Sequence, residues 1–555
     1  MKYLLIITTI VLFFSTSLEA QNTYTKYWLS FSDKHNTPYS VKNPSDYLSD
    51  KAIARRHKHR IAITTHDLPV NPQYLGAVKQ IEKNVLRTSK WFNGVLLQID
   101  DAKSNEVLLA LQSLPFVKRV VPVAKLGTAN QQNEHQSLKK QPGETLNDAI
   151  YYGTAFHQVQ MLNGDYLHAA GYTGEGLTCA IIDAGFTNVD ELSVFERLFD
   201  NGQILGTFDF VEGDADVFGH NAHGTHVFTI MGANEPGVYV GAAPDANYWL
   251  FRTEDAASET LLEEYNWLAA AEFADSVGVD LINSSLGYST FDNTSNNHSY
   301  ADMDGNTTVI SKAADMAASK GILVVVSAGN QGNKPWHYVT APADADSVLS
   351  VGAVDSLKQY VSFSSVGPSA DGQIKPNIVG QGHNTAYVGT DGNLKHGNGT
   401  SFSAPLIAGL ATCLWQAYPE KNNMDIIGLI ESSASQAQNP DNHLGYGIPN
   451  FYTAMLQGNN DPILNFDEEM VAFVYPNPFA NDASIYYYAN LNEIITLQLY
   501  DYTGRLLASY ATEVRVDTPY KFDFPNWVKY PKGAYLIKII SDQQQKNLKS
   551  IKVGN

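Results

Sequence analysis

Between residues 150 and 457, short near-continuous apolar runs alternate with longer stretches whose apolar positions recur at helical spacing. The runs lie at Leu177–Ile182, Tyr248–Phe251, Asp280–Asn283 and Ile322–Ser327, and the helical stretches at Leu261–Val277, Thr307–Lys320 and Ser403–Ala417. Strands apolar on both faces and separated by amphipathic helices predict a mostly parallel sheet covered on both sides, a three-layer α/β fold. Ligands on such sheets bind beyond the carboxyl ends of the strands. The N-terminal part differs. Strand-like Val95–Ile99, helix-like Lys103–Leu114 and strand-like Phe116–Val123 predict the β-α-β end of a small α+β unit. From Asp461 onward the pattern shortens to alternating strands, among them Ile495–Tyr500, Leu506–Tyr510 and Ala534–Ile540, with turn signals between them. A small antiparallel β-sandwich is expected there.

The ends and joints complete the division. Residues 1–20 have a positive start at Lys2, an apolar run over Tyr3–Phe14 and a small-residue exit at Ser17–Ala20. That is the pattern of a secretory signal cleaved after Ala20. Residues 129–149 are polar and lack periodicity, as an exposed linker does. The expected units are therefore 1–20, 21–128, a linker at 129–149, 150–457, a linker at 458–469, and 470–555.

The chain of 555 residues is 44% apolar and 17% charged, which permits a large core and excludes global disorder. Its net charge of −20 is unevenly spread. Residues 21–128 carry 16 basic and 8 acidic side chains, whereas residues 150–457 carry 9 and 34. An acidic chain of this kind is a poor match for phosphate backbones, so no nucleic-acid partner is expected. The negative charge of residues 150–457 would favour basic groups in whatever this segment binds. Two cysteines, Cys179 and Cys413, exclude a disulfide scaffold or a Cys-rich zinc module. Both sit in apolar runs and read as buried thiols, with a single bridge left open.

Three short features carry the chemistry. Ile181-Ile182-Asp183-Ala184-Gly185 puts an acid at the end of a buried strand. His223-Gly224-Thr225-His226-Val227 follows. Gly399-Thr400-Ser401-Phe402-Ser403-Ala404-Pro405 then leads into a helix. An Asp, a His and a Ser, each near glycine, suit nucleophilic catalysis in which the His takes the Ser proton and the Asp orients and stabilises the imidazolium. A helix starting at the nucleophile aims N–H groups and a positive dipole at a developing oxyanion. Each feature alone has a plain structural reading as a turn, a solvated His or a cap. His223 and His226 could hint at a metal pair, but no acidic or Cys third ligand accompanies them.

The order Asp…His…Ser, with these surroundings, resembles the subtilisin-like serine peptidases, the S8 family, over residues ~150–457. Val326-Ser-Ala-Gly-Asn330, Ser284-Ser-Leu-Gly287, Gly241-Ala-Ala-Pro244 and Lys375-Pro-Asn-Ile378 match further family motifs in order. The resemblance implies Ser401 as nucleophile, His223 as base then acid, Asp183 as orienting carboxylate and Asn330 as oxyanion donor. It implies substrate binding at Ser285, Leu286, Gly287, Ala328 and Gly329, with an extended protein or peptide substrate pairing by main-chain hydrogen bonds. The chemistry would need no cofactor. Family members commonly bind structural calcium; Asp302, Asp304, Asp214 and Asp216 are the nearest acidic residues to such a loop, and no calcium ligands are assigned. Departures are Ala184 where the family has Thr or Ser, Phe228-Thr229 in place of a small Ala-Gly pair, and Asn377 and Gln381 in the motif around Lys375.

By position and β-α-β pattern, residues 21–128 are similar to the family's propeptide, an intramolecular chaperone and inhibitor. Its positive charge complements the acidic segment after it. Tyr475-Pro-Asn-Pro-Phe479, Leu499-Tyr-Asp-Tyr-Thr-Gly-Arg505 and Lys532-Gly-Ala-Tyr-Leu-Ile537 resemble the C-terminal sorting domain of the type IX secretion system. That implies the secretion machinery as a partner and export through the periplasm of a Gram-negative bacterium, to the medium or the cell surface. The expectation is a monomeric secreted serine endopeptidase made as a preproenzyme. The alternatives are a non-enzymatic surface binding protein on the same scaffold, and an esterase, whose G-x-S-x-G elbow and Ser…Asp…His order are not found around Ser401.

Overall fold

The computed structural model describes residues 23–125, 152–458 and, in the C-terminal segment, 471–475, 479, 483–489, 492–515, 518–523, 527–541 and 545–553. The expected leader at 1–20, the linkers at 129–149 and 458–469 (Gly458 apart), and Pro476–Pro478 lie outside the described residues.

The segment 21–128, expected as one α+β unit, divides. Its elements are β1 (Tyr24–Phe31), α1 (Asp50–Lys58), α2 (Pro72–Ile81), β2 (Val85–Ser89), β3 (Gly94–Asp100), α3 (Ser104–Gln112) and β4 (Val117–Lys125). Residues 23–38 and 70–125 form one compact unit, an antiparallel sheet in the order β2-β3-β1-β4. Inward residues Leu29, Phe31, Val95, Leu97 and Ile99 pack with Val78 of α2 and Leu111 of α3. Residues 39–69, with α1, cluster instead with the part of the chain that follows the linker.

That second unit is built on a seven-stranded parallel sheet. Its strands are β5 (Thr178–Asp183), β6 (Ile204–Asp209), β7 (Asn247–Arg252), β8 (Leu281–Ser284), β9 (Leu323–Ser327), β10 (Leu349–Val354) and β11 (Ile378–Gln381). They run in the order β11-β10-β9-β8-β5-β7-β6, all parallel. β5 and β8 through β11 are buried at every position, as strands covered on both faces must be. The covering helices are α4 (His223–Gly232), α5 (Leu262–Val277), α6 (Val309–Ser319) and α7 (Thr400–Ala417). Tyr248 and Leu250 join the core that contains Leu406, Leu410 and Leu414 of α7. Their alternate neighbours Trp249 and Phe251 meet Phe273 of α5, each with ring centroids 5.4 Å apart. Strand alternation therefore puts α7 and α5 on opposite faces, and the three-layer expectation holds.

A hairpin of β12 (Thr385–Val388) and β13 (Leu394–Gly397) precedes α7. The C-terminal segment carries β14 (Val471–Tyr475), β15 (Ser484–Ala489), β16 (Glu493–Asp501), β17 (Leu506–Val514), β18 (Thr518–Asp523), β19 (Gly533–Ile540) and β20 (Gln545–Lys552). They form antiparallel sheets in the orders β14-β15-β18 and β17-β16-β19-β20. One core takes Ile485 and Tyr487 from the first sheet and Leu497, Leu499, Ile537 and Ile539 from the second, closed by Phe479 against Trp527. Among the described residues no helix is long and apolar enough to cross a membrane.

Candidate active site

The three motif residues come from three elements that end or begin at the carboxyl edge of the sheet. Asp183 is the last residue of β5 and fully buried. His223 is the first residue of α4, and Ser401 lies in the first turn of α7, where helical N–H groups have no partner within the helix. Gly224 lets α4 approach the acid: a Cβ there would stand 2.3 Å from the Gly185 carbonyl oxygen and 3.0 Å from the Asp183 Cβ.

His223 Nδ1 and Asp183 Oδ1 are 2.8 Å apart. The imidazole side chain is 33% exposed and the carboxylate 0%, so the ring is fixed at its inner edge and open at its outer one. Burial works against the ring's charge, but the charge and hydrogen bond of Asp183 outweigh it and raise the His223 pKa above the ordinary 6.5. Asp183 Oδ1 also accepts from the Ala184 N–H at 2.8 Å. The other oxygen, Oδ2, is buried without a hydrogen bond among the described residues, where alanine at 184 supplies no hydroxyl.

Ser401 is 7% exposed, and its hydroxyl is not bonded to His223 or to any other described residue. Apo sites of this kind commonly tighten only around substrate. The turn that carries Ser401 is held from two sides. Ser285 Oγ donates to the Ser401 carbonyl at 3.1 Å. Asn330 Oδ1 accepts from the Thr400 N–H at 2.9 Å and from the Thr400 hydroxyl at 3.1 Å, while Thr400 Oγ1 accepts from the Gly329 N–H at 3.2 Å. With its oxygen occupied, the Asn330 amide can only present its N–H groups elsewhere. A Cβ on Gly399, which has φ +154°, would lie 2.9 Å from Ser401 Oγ and 3.4 Å from Asn330 Nδ2. The hydroxyl and the amide thus border one small space that glycine keeps clear.

The remaining expected residues lie around it. Ser285, Leu286 and Gly287 follow the carboxyl end of β8, with Ser285 and Leu286 buried and Gly287 exposed. Ala328 and Gly329 follow β9, with Ala328 fully buried. Phe228 turns away from this edge into the core, stacked on Phe195 at 4.3 Å and edge-on to Tyr248 at 4.9 Å, so its bulk is spent on packing.

Thr400 was not singled out by sequence as the residue that orients Asn330, although it lies inside the quoted motif. A carboxyl cluster beside the pair was missed as well. Glu254 accepts from the Tyr288 hydroxyl at 2.6 Å. Burial, together with the nearby Asp183 charge, pushes Glu254 up to about 7. Burial and neighbouring carboxylates push Glu259 up to about 8 and Glu263 up to about 10.

The acidic loops fit a metal poorly. Asp302 caps Ser299, Asp304 accepts from the Asn306 N–H and the Thr307 hydroxyl, and Asp214 and Asp216 each close their own turn. Among the described residues no three His, Cys, Asp or Glu converge as metal ligands would. His226 instead packs on Tyr387, with ring centroids 4.4 Å apart. Cys179 and Cys413 are free and buried, the first beside the Thr412 hydroxyl and the second donating to the Ala242 carbonyl.

Residues 174–447 match the model of the Subtilase family. Residues 26–140 match the Peptidase S8 propeptide domain of Bacteroidota, and residues 473–553 the Secretion system C-terminal sorting domain. The chain is 29% identical over 328 residues to subtilisin NAT of Bacillus subtilis subsp. natto, covering 58% of this chain and 77% of that one. It is 30% identical over 316 residues to the thermophilic serine proteinase of Bacillus sp. (strain AK1), covering 56% and 69%. It is 30% identical over 281 residues to the subtilisin of Bacillus pumilus, covering 50% and 90%. Matches of this extent, on a seven-stranded parallel sheet with Asp183 and His223 paired at its carboxyl edge, mean that the chain belongs to the subtilase family and is a serine endopeptidase.

Proposed function

We propose that the peptidase works through Asp183, His223 and Ser401 by way of an acyl-enzyme. The observation that carries this reading is the 2.8 Å Asp183–His223 contact beside a hydroxyl at the start of a helix. Asp183 fixes the tautomer with the proton on Nδ1, which leaves Nε2 as the base. Nε2 takes the Ser401 proton as Oγ attacks the peptide carbonyl. The tetrahedral oxyanion receives hydrogen bonds from the Asn330 amide and the Ser401 N–H. The imidazolium then returns its proton to the leaving amine, the C–N bond breaks and an ester remains on Ser401. Water, deprotonated by the same His, cleaves the ester and restores the hydroxyl. Ser285–Gly287 and Ala328–Gly329 flank the substrate as an extended strand.

Asn330→Ala tests the oxyanion step. Its kcat is expected to fall by about 10²–10³-fold with KM little changed, because the interaction exists only once the oxyanion forms. A loss confined to KM would contradict the role.

The tail reads as an export signal that brings the protein through the periplasm of a Gram-negative bacterium by the type IX route, and the propeptide as an intramolecular partner cut away within residues ~124–150. Deleting residues 470–555 is expected to leave the protein in the periplasmic fraction; undiminished export would reject that route.

A further inference from the structure

Residues 39–69 fall inside the stretch matched by the propeptide model, yet they are built into the peptidase unit. Five basic side chains crowd residues 51–60, namely Lys51, Arg55, Arg56, Lys58 and Arg60. In sequence this is an ordinary solvated charge run. In the structure Arg55 and Arg56 are 5% and 1% exposed.

Their partner is the C-terminal end of α5. Arg56 Nη2 donates to both oxygens of Asp275, at 2.7 and 2.8 Å, and Arg55 Nη2 donates to Asp275 Oδ1 at 2.6 Å. Arg55 also donates to the carbonyls of Val279 and Lys320. Arg56 and Lys320 share Asp67 Oδ1, at 3.1 and 3.2 Å. At the start of α1 the Ser49 N–H donates to the Ser276 carbonyl at 3.0 Å, and Lys51 Nζ reaches Thr178 Oγ1 at 2.6 Å and Asp280 Oδ2 at 2.9 Å. The backbone is shaped for this fit. A Cβ on Gly278 would lie 2.7 Å from the Lys51 Cβ, and one on Gly321 would lie 2.6 Å from the Ile61 Cδ1.

Every one of these contacts is at the amino edge of the sheet. Thr178 starts β5, Asp280 precedes β8, and Lys320 and Gly321 precede β9. Asp183, Ser285 and Asn330 are at the other ends of the same strands. At about 3.3 Å per residue, four to six residues of strand separate the two edges by roughly 13–20 Å. The helix does not obstruct the active site, so opening that site gives it no reason to leave. Leaving would also strip the guanidinium groups from a fully buried carboxylate, Asp275, and buried charges lose heavily when their partners go.

We propose that residues 39–69 are a clasp that stays bound to the peptidase unit after the chain is cut downstream, as a second polypeptide of the working enzyme. This rests on the cut within residues ~124–150, and the test is arranged so that failure of self-cleavage cannot be mistaken for failure of the clasp. A site for a sequence-specific protease is placed within 129–149 of the full chain carrying Ser401→Ala, and the purified protein is cut with that protease. The fragment bearing residues 39–69 is expected to co-elute with the peptidase on size exclusion at micromolar concentration. Trypsin should spare the bonds after Arg55 and Arg56. R55Q/R56Q is expected to release the fragment at least tenfold faster. Should that variant fail to fold, Lys51→Gln, which removes a half-exposed pair, is expected to speed release several-fold. Loss of the fragment from the cut parent protein, or equal release rates with and without the basic side chains, would overturn the clasp.

Discussion

Ser401→Ala is expected to lower kcat/KM for a peptide by on the order of 10⁶-fold, with the fold retained. The residue is nearly buried, and its side chain makes no hydrogen bond to a described residue that alanine would lose. Its carbonyl remains available to the Ser285 hydroxyl. Removing Oγ would therefore take away the proposed nucleophile and little else. Residual hydrolysis would come from the oxyanion donors acting on water. The same variant is expected to accumulate at precursor size, uncut within residues ~124–150. A variant with a tenth of the parent activity, or secretion at parental mature size, would put the nucleophile elsewhere.

Asp183→Asn is the second large effect, about 10⁴-fold in kcat. The amide is nearly isosteric, so the loss arises from the imidazole. An Asn side chain can offer Nδ1 a donor in place of an acceptor, which favours the wrong tautomer. The pH profile gives the sign independently. The proposed base must be neutral, so kcat/KM of the parent is expected to rise with pH through a midpoint above 6.5, because Asp183 holds the His223 pKa up. In Asp183→Asn the burial that opposes charge remains while the stabilising carboxylate is gone, so the midpoint is expected to move down. The profile, measured between pH 5 and 9, checks both. An unchanged limb would mean that another group titrates in it.

The candidate site was legible because its residues sit in short motifs bound to backbone geometry. Asp183 ends a run of apolar residues, which is the signature of a buried strand, and Gly399-Thr400-Ser401 announces a helix start. Order along the chain did the rest. The parallel sheet was legible for a related reason: Leu177–Ile182 and Ile322–Ser327 are too apolar and too short to be anything but strands covered on both faces. β10 and β11 were not recognised, because Ser350, Gly352 and Gly380 interrupt their apolar runs and only tertiary packing makes them strands. Helix α1 was lost for a different reason. Arg55 and Arg56 look like surface residues until Asp275, some 220 positions away, provides their counter-charge. Glu254 and Tyr288 carry no local signal either, since their contact depends on β7 and β8 emerging at the same edge of the sheet. Long-range pairing of charges leaves no periodicity behind, whereas strand and helix burial does.

The most direct measurement of the central claim is covalent labelling with a serine-directed phosphonate, read by mass spectrometry of the peptide that contains Ser401. The mature parent enzyme is expected to take up one label per chain on Ser401, and Ser401→Ala none. A folded parent enzyme that takes no label, or takes it at another residue with Ser401 untouched, would contradict the assignment.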